Sequence, residues 1–182
     1  MAMAKLKILT VPHPLLRQKS WPVAKINGSV SQLANQMLEF IKKGEGGGRV
    51  GVGLSAPQIG QLVRLILVWS AGSGKFLTMI NPEIIWTSKR THLGVAGRKN
   101  PFEGCLSVPK IWGKVRRFSV VKVRYQTPTG QTVIRKFKDF TGVVVQHETD
   151  HLDGILFTDR VLAQKGSLYQ YDKTKNRFFR FR

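Results

Sequence analysis

The chain has few cysteines, no long apolar run and no segment that resembles a linker. Cys105 is the single cysteine among 182 residues, which excludes a disulfide within the chain and favours a reducing compartment, so we expect a cytoplasmic protein. No stretch approaches the roughly 18 uninterrupted apolar residues of a membrane span, so we expect no membrane partner. Because 42% of residues are hydrophobic and no Pro- or Ser-rich linker divides them, we expect one domain over residues 1–182.

Acidic residues are absent from the first twenty positions, which raises the question of an organellar presequence. Residues 6–11, however, alternate between apolar and polar like a strand. We therefore expect a strand there and no transit peptide.

The charge is strongly one-sided, with 30 Lys and Arg against 10 Asp and Glu, a formal net charge of +20. Such a field favours encounter with polyanions and salt-dependent association with nucleic acid, although it also fits a merely soluble basic surface. A basic tail at about residues 165–182 interleaves aromatics with cations. These residues could stack on bases, pair as an edge strand or stay disordered, and we favour the strand.

Two histidines at helical spacing form the most informative motif. His147 and His151 are four residues apart and would share one face of a helix, so both could reach one metal ion. Glu148 between them could contact a water on the metal and act as a general base. A surface pair or satisfied core histidines would be the alternative.

A catalytic metal usually takes a third protein ligand, and Cys105 is a candidate. Its thiol could be free, metal-bound or inert, but Gly104 beside it allows close backbone approach, which favours a strand or tight loop at the floor of a cleft. The remaining histidines, His13 between prolines and His92 in a polar stretch that resembles a loop, are interpreted as structural or solvated.

Three motifs together resemble those of the peptide deformylase family. They are GVGLSAPQ at residues 51–58, EGCLS at 103–107 and QHETDHLDG at 146–154, in that order. The glycine-rich segment alone is weak evidence, but the set is specific. The resemblance extends from about residue 11 to roughly residue 162 and implies hydrolysis of the formyl group of formyl-methionine on nascent polypeptides, with release of formate.

The resemblance also implies a metal centre. Cys105, His147 and His151 would be the ligands of one divalent ion, and Glu148 would be the catalytic base. It favours Fe²⁺ as the native ion, whereas Zn²⁺, Ni²⁺ and Co²⁺ are alternatives that spacing cannot separate.

Further residues follow from the same resemblance. Gln58 and the backbone N–H of Leu106 would polarise the formyl oxygen. The backbone around Gly53 would pair with the substrate peptide. The methionine pocket would be lined by Val52, Val143 and Val144. We also expect a monomer that associates electrostatically with ribosomal RNA.

Two positions depart from the family pattern. Ser55 stands where alanine is commoner, and Trp112 lies about where many members carry an arginine that contacts the peptide. Two other functions remain as alternatives: a zinc peptidase or amidase acting on another acyl group, and a basic RNA- or ribosome-binding protein with a vestigial site.

Periodicity predicts an α+β fold with antiparallel or mixed sheets packed around the metal-binding helix. A helix is expected near residues 30–41, capped by Ser29 and ended by the glycines from Gly44 onward. Strands are expected at 62–69 and 76–81, and residues 120–126 and 132–137 should form a hairpin. The histidine helix should stop at 153–154, and residues 97–101 should form a loop.

Overall fold

Three antiparallel sheets and three α-helices make up the described part of the chain. The structure, a computed structural model, describes residues 6–44, 51–95, 98, 100–172 and 174–181. The strands are β1 (Gly53–Ser55), β2 (Leu65–Ser70), β3 (Lys75–Thr87), β4 (Thr91–Leu93), β5 (Glu103–Cys105), β6 (Val108–Gly113), β7 (Arg116–Phe118), β8 (Val120–Gln126), β9 (Thr132–Lys138), β10 (Leu168–Asp172) and β11 (Arg177–Arg180). The helices are α1 (Gly28–Lys43), α2 (Asp139–Leu152) and α3 (Phe157–Ala163). The predicted α+β single-domain fold is confirmed.

Helix α1 confirms the first predicted helix but not its cap. The side chain of Asn27, rather than that of Ser29, accepts the hydrogen bond from the backbone N–H of Val30. Gly44 ends the helix with a φ of 70°, which glycine adopts without strain. Helical spacing places Ala34, Met37 and Ile41 on the buried face of α1.

The largest sheet has the strand order β1-β2-β3-β8-β9. Strand β2 begins at Leu65, later than the expected 62–69, because the preceding Val63 forms an isolated parallel bridge with Trp21. Strand β3 continues to Thr87, beyond the expected 76–81, because its second half pairs with β8. The hairpin of β8 and β9 is confirmed, with Gln126 opposite Thr132.

The predicted strand at residues 6–11 is wrong. The backbone N–H of Leu9 donates to the carbonyl of Gln58, and that of Val11 donates to the carbonyl of Ser107. These bonds go to a 3-10 helix (Ala56–Ile59) and to the turn at Ser107 instead of one neighbouring strand, so the segment remains irregular. They also attach the start of the described chain to segments that line the site.

His13 and His92 have local contacts that agree with a structural interpretation. His13 precedes a short 3-10 turn, and its Nδ1 accepts a hydrogen bond from the backbone N–H of Leu15. His92 lies in β4 rather than in the expected loop, because Thr91–Leu93 pairs with β7. Its Nδ1 lies 3.3 Å from the hydroxyl of Ser119.

Helix α2 packs against β1 and β2. Its residues from Gly142 to Leu152 are all buried, including six consecutive polar residues at 146–151. The helix stops at Leu152 and is followed by Gly154 with a φ of 71°, as the sequence predicted. No helix in the described ranges is both long and apolar enough to cross a membrane.

The second sheet has the order β11-β10-β6-β5, so the tail forms a hairpin attached to the strand next to the Cys105 segment. The predicted strand-like end is confirmed. Of the loop expected at 97–101, Gly97 and Lys99 lie outside the described residues.

Candidate active site

The thiol of Cys105 and the imidazoles of His147 and His151 converge at one point. Helical spacing puts the two rings on the same face of α2, and β5 presents the thiol to that face. Their ligand atoms all lie within 4.8 Å of one another, and Cys105 Sγ is 3.2 Å from His151 Nε2. One sulfur and two ring nitrogens are a donor set suited to a transition-metal ion, so this group could hold one metal.

His147 is oriented by a buried carboxylate. Its Nδ1 lies 3.0 Å from Oε2 of Glu103, which leaves Nε2 as the nitrogen available to an ion. Glu103 in turn accepts two hydrogen bonds of 2.9 Å from the guanidinium of Arg117. A buried Arg–carboxylate fork of this kind keeps the histidine ring in one orientation.

Asp150 extends the same network from α2. Its carboxylate accepts a 2.6 Å hydrogen bond from Arg117, and Arg160 of α3 donates to it from the other side. The buried cation of Arg117 is therefore shared between two carboxylates, one in β5 and one in α2. The network joins the strand that carries Cys105 to the helix that carries the histidines.

The pKa values of the buried groups in this site depend on burial, which favours their neutral forms, and on charged or hydrogen-bonding partners, which act in the opposite direction for Glu103 and His147. Burial favours the neutral acid of Glu103, yet the Arg117 guanidinium lowers its pKa to about 2. For His147, burial lowers the pKa, but hydrogen bonds to Cys105 and Glu103 outweigh it and raise the pKa well above its ordinary value. Burial lowers the pKa of His151, and the nearby His147 lowers it further. The surroundings of His147 thus attract positive charge, which also suits a metal cation.

Glu148 is the buried carboxylate nearest this group in the sequence. Burial raises its pKa to about 7. A methyl group placed on Gly53 would lie 2.3 Å from Oε1 of Glu148, so only glycine allows the β1 backbone to approach the carboxylate this closely. Oε2 of Glu148 is buried and has no hydrogen-bond partner among the described residues. A buried oxygen without a hydrogen-bond partner destabilises a fold, so its presence here is consistent with a site in which water or substrate supplies the missing hydrogen bond.

Gln58 points its amide toward the thiol. Its Nε2 lies 3.4 Å from Cys105 Sγ and 3.2 Å from Ser107 Oγ. Its Oε1 accepts hydrogen bonds of 2.9 Å from both the backbone N–H and the hydroxyl of Ser55. Because Ser55 holds the oxygen end, the NH₂ end of Gln58 faces the site.

A cleft of about 630 Å³ opens onto these groups. Nine of the ten residues selected from the sequence line it: Val52, Gly53, Gln58, Cys105, Leu106, Val143, Val144, His147 and Glu148. The tenth, His151, lies behind them within the ligand group. The structure therefore brings all the selected residues to one place, while their individual roles remain predictions.

Among the hydrogen-bonding residues that orient the site, Ser55, Glu103, Arg117 and Asp150 were not predicted from the sequence. Ser55, Glu103 and Asp150 lie inside the three motifs, so membership of a motif was the sequence signal that could have identified them. Arg117 had no such signal, since it is one of many cations in a basic chain. Its role depends on burial, which the sequence pattern does not report.

An α+β fold that joins a thiol, two imidazoles and a buried carboxylate in one cleft defines a hydrolase whose ligand group could hold a metal ion. The polypeptide deformylase family model matches residues 5–166, and the chain belongs to the peptide deformylase family.

Known relatives resemble the chain over most of its length. A peptide deformylase of Heliobacterium modesticaldum is 40% identical over 87% of this chain and 95% of its own length. A probable peptide deformylase from Synechococcus phage S-SSM7 has a crystal structure that is 39% identical, with a TM-score of 0.74 over 85% of this chain and 99% of its own. The enzyme of Thermotoga maritima matches with a TM-score of 0.75 and 31% identity, over 86% and 97% of the two chains.

Proposed function

We propose that this deformylase removes the formyl group from N-terminal formyl-methionine of nascent polypeptides with one divalent metal, Glu148 as base and Gln58 as oxyanion donor. The observation that carries this proposal is the buried, unpaired carboxylate oxygen of Glu148 beside the group of Cys105, His147 and His151. A general base needs a position next to the ligands, and Glu148 lies in the wall of the cleft that the ligand group faces.

Cys105, His147 and His151 would hold the ion, with Fe²⁺ as the native metal and Zn²⁺, Ni²⁺ or Co²⁺ as substitutes. The mixed thiolate and imidazole donors suit all four ions. A bound divalent ion supplies Lewis acidity, which makes water a better nucleophile at neutral pH. Glu103 supports the site because it accepts from Nδ1 of His147 and leaves the other nitrogen free to bind.

Glu148 accepts the proton of the attacking water and later passes it to the departing amine. A pKa raised to about 7 by burial suits both steps, because the carboxyl group can then take up and release a proton near neutrality. The products are formate and a peptide with a free N-terminal methionine.

Gln58 and the backbone N–H of Leu106 stabilise the negative charge that develops on the formyl oxygen. The hydrogen bonds from Ser55 to Oε1 of Gln58 support this role, because they direct the donor end of the amide toward Cys105. A donor held in advance needs little rearrangement during the reaction.

The substrate methionine occupies an apolar part of the cleft lined by Val52, Val143 and Val144. Val143 and Val144 are buried in α2, one turn before the histidines, so the pocket adjoins the ligand group. The backbone of Gly53 pairs with the peptide, which agrees with its position at the start of β1 beside the Glu148 carboxylate.

The decisive experiment is anaerobic purification with metal analysis, followed by formate release from a formyl-Met peptide. We expect about one metal per chain and formate production that a chelator abolishes and Fe²⁺ restores. The control substrate is an unformylated peptide of the same sequence. Cleavage of its internal amides without formate release from the formylated peptide would instead favour a peptidase.

The proposed partner outside the substrate is ribosomal RNA. Lys122 on β8 lies opposite Lys136 on the neighbouring strand β9. On its other side, Lys122 lies opposite the exposed Trp86 on β3. Lys136 is exposed and Lys122 is half-buried, and neither forms an ion pair within the part of the chain that the structure describes, so their charge is available to polyanions.

Co-sedimentation with ribosomes at increasing salt tests this association. Binding should weaken by about tenfold or more between 50 and 200 mM salt. Lys136→Gln should weaken it further, whereas Lys42→Gln on α1, which removes one charge at a position that is also exposed, serves as the control. Ribosome binding that stays constant as the salt concentration rises would contradict an electrostatic contact.

We further propose that residues 1–182 form one catalytic domain that includes the tail at about 165–182, and that the enzyme is a cytoplasmic monomer. The pairing of β10 with β6 supports an integrated tail. A single thermal unfolding transition, a 20.5 kDa species in sedimentation equilibrium and recovery in the cytoplasmic fraction are the expected results.

A further inference from the structure

The hairpin of β10 and β11 begins beyond residue 166, where the match to the family model ends. Strand β10 nevertheless extends the sheet that carries Cys105, because it pairs with β6, which pairs with β5. The register puts Tyr169 opposite Trp112. The hairpin is therefore attached to a strand that lines the cleft.

Aromatic side chains fill the junction between the hairpin and the rest of the fold. We call five of them the aromatic cluster: Phe102, Trp112, Tyr169, Tyr171 and Phe178. The ring of Phe178 lies 4.4 Å from Phe102, 5.0 Å from Tyr171 and 5.7 Å from Trp112, centroid to centroid. Such spacings are near the range of favourable aromatic pairs, roughly 4.5–7 Å, so the rings hold one another in place.

Three members of the aromatic cluster, Phe102, Trp112 and Tyr171, line the cleft. A methyl group added to Gly104 would lie 2.7 Å from the ring of Trp112, so the indole covers the backbone immediately before Cys105. Tyr171 is 39% exposed and belongs to the hairpin. The aromatic wall thus starts beside the ligand group and continues onto the tail.

This wall is formed by different elements from the proposed methionine pocket, which belongs to α2 and the segment before β1. A peptide whose methionine occupies that pocket has its following residues available to the wall. The cleft is also lined by the cations Arg98 and Lys110, while its acids, Glu103 and Glu148, are buried. The outer cleft therefore offers aromatic faces, which pack against apolar and aromatic side chains, and positive charge, which repels basic ones.

We propose that Tyr171, held in place by the aromatic cluster, determines specificity for the residues that follow methionine and favours an aromatic side chain at the second or third position. This inference rests on the proposed function, since it needs a formyl-Met peptide in the cleft. It assigns the hairpin, which lies outside the family match, a direct contact with substrate.

Steady-state kinetics on matched peptides test the proposal. The substrates are formyl-Met-Ala-Ala, formyl-Met-Phe-Ala and formyl-Met-Ala-Phe, each assayed by formate release. For the unmodified enzyme, kcat/KM should be about three- to tenfold higher for one phenylalanine peptide than for the alanine peptide, and mainly through KM. Tyr171→Ala should bring that ratio close to one, whereas Tyr171→Phe, which keeps the ring, should retain it.

Phe179→Ala is the matched control. Phe179 neighbours Phe178 on β11, is 42% exposed and lies opposite Gln170, and it does not line the cleft. This variant should retain the ratio of the unmodified enzyme. A ratio of one in the unmodified enzyme, a ratio unaffected by Tyr171→Ala, or an equal loss in Phe179→Ala would each overturn the inference. Release of formate from the alanine peptide shows in every case that the proposed function stands.

Discussion

Nδ1 of His147 lies 3.0 Å from Oε2 of Glu103, and both groups are buried between α2 and β5. This hydrogen bond connects the helix of the proposed ligands to the strand of Cys105. It also sets which imidazole nitrogen is free to bind an ion. The same carboxylate is held by Arg117, so orientation of the histidine and stability of the fold depend on one residue.

Glu103→Gln should therefore weaken both metal binding and folding. Loss of an oriented histidine lowers metal affinity by about ten- to a hundredfold in comparable sites, measured here by competition with a chelator. Arg117 loses one of its two buried carboxylates, which destabilises the fold by about 3–5 kcal/mol in urea titration. Glu83→Gln, in an exposed pair with Arg124, is the control and should change stability by less than about 1 kcal/mol. Equal effects in both variants would contradict a special role for Glu103.

Glu148→Gln should separate metal binding from turnover. The amide has nearly the same shape but cannot accept the proton of the attacking water, so kcat should fall by about a hundred- to ten-thousandfold. Metal content should remain unchanged. The midpoint of thermal unfolding should be equal or higher, since the variant removes a carboxyl group whose ionised form burial opposes. Near-normal turnover would refute the base assignment.

Cys105→Ala should reduce metal content directly. Only His147 and His151 of the ligand group would remain, and two ligands hold an ion far less firmly than three. We expect metal affinity to fall by at least about tenfold, measured by elemental analysis after dialysis against a weak chelator. Full retention of the ion after dialysis would place the metal elsewhere.

Gly53→Ala should impair catalysis through steric displacement. The added methyl group would lie 2.3 Å from Oε1 of Glu148 and 2.8 Å from Val144, so the carboxylate must shift. A displacement of about 1 Å can lower kcat by about a hundredfold. Gly28→Ala is the matched control, because no atom lies within 4 Å of the added methyl group. Equal activity of the two variants would argue against the tight approach of β1 to the base.

Ser55→Ala should lower kcat much less than Gln58→Ala does. Removing the Ser55 hydroxyl leaves the backbone N–H bond to Oε1 of Gln58, so kcat should fall only about three- to tenfold, as expected for one hydrogen bond. Removing the Gln58 amide deletes the proposed oxyanion donor and should lower kcat by about a hundredfold or more. Comparable losses would mean that Ser55 orients Gln58 more strongly than one bond implies.

The fold predictions that succeeded from sequence rest on local periodicity, whereas the site residues were predicted mainly from the three motifs. Spacing of four residues put His147 and His151 on one face of α2, and alternation gave the correct strands of the β8–β9 hairpin. The errors also arose from local patterns. Residues 6–11 alternate like a strand, yet their backbone hydrogen bonds go to the carbonyls of Gln58 and Ser107 in two separate segments, which no local pattern reveals.

The sequence by itself determined the residue types of the site and the shared face of the two histidines, because helical geometry depends only on neighbouring residues. The three motifs predicted Cys105 as a third ligand, but only the tertiary structure brings its thiol to the two histidines, because residues 105 and 147 are far apart in the chain. It also decided that Arg117 is a buried partner of Glu103 and Asp150 rather than one more surface cation. Burial and long-range contact depend on how the elements pack, and this is the physical reason that spacing along the chain could not predict them.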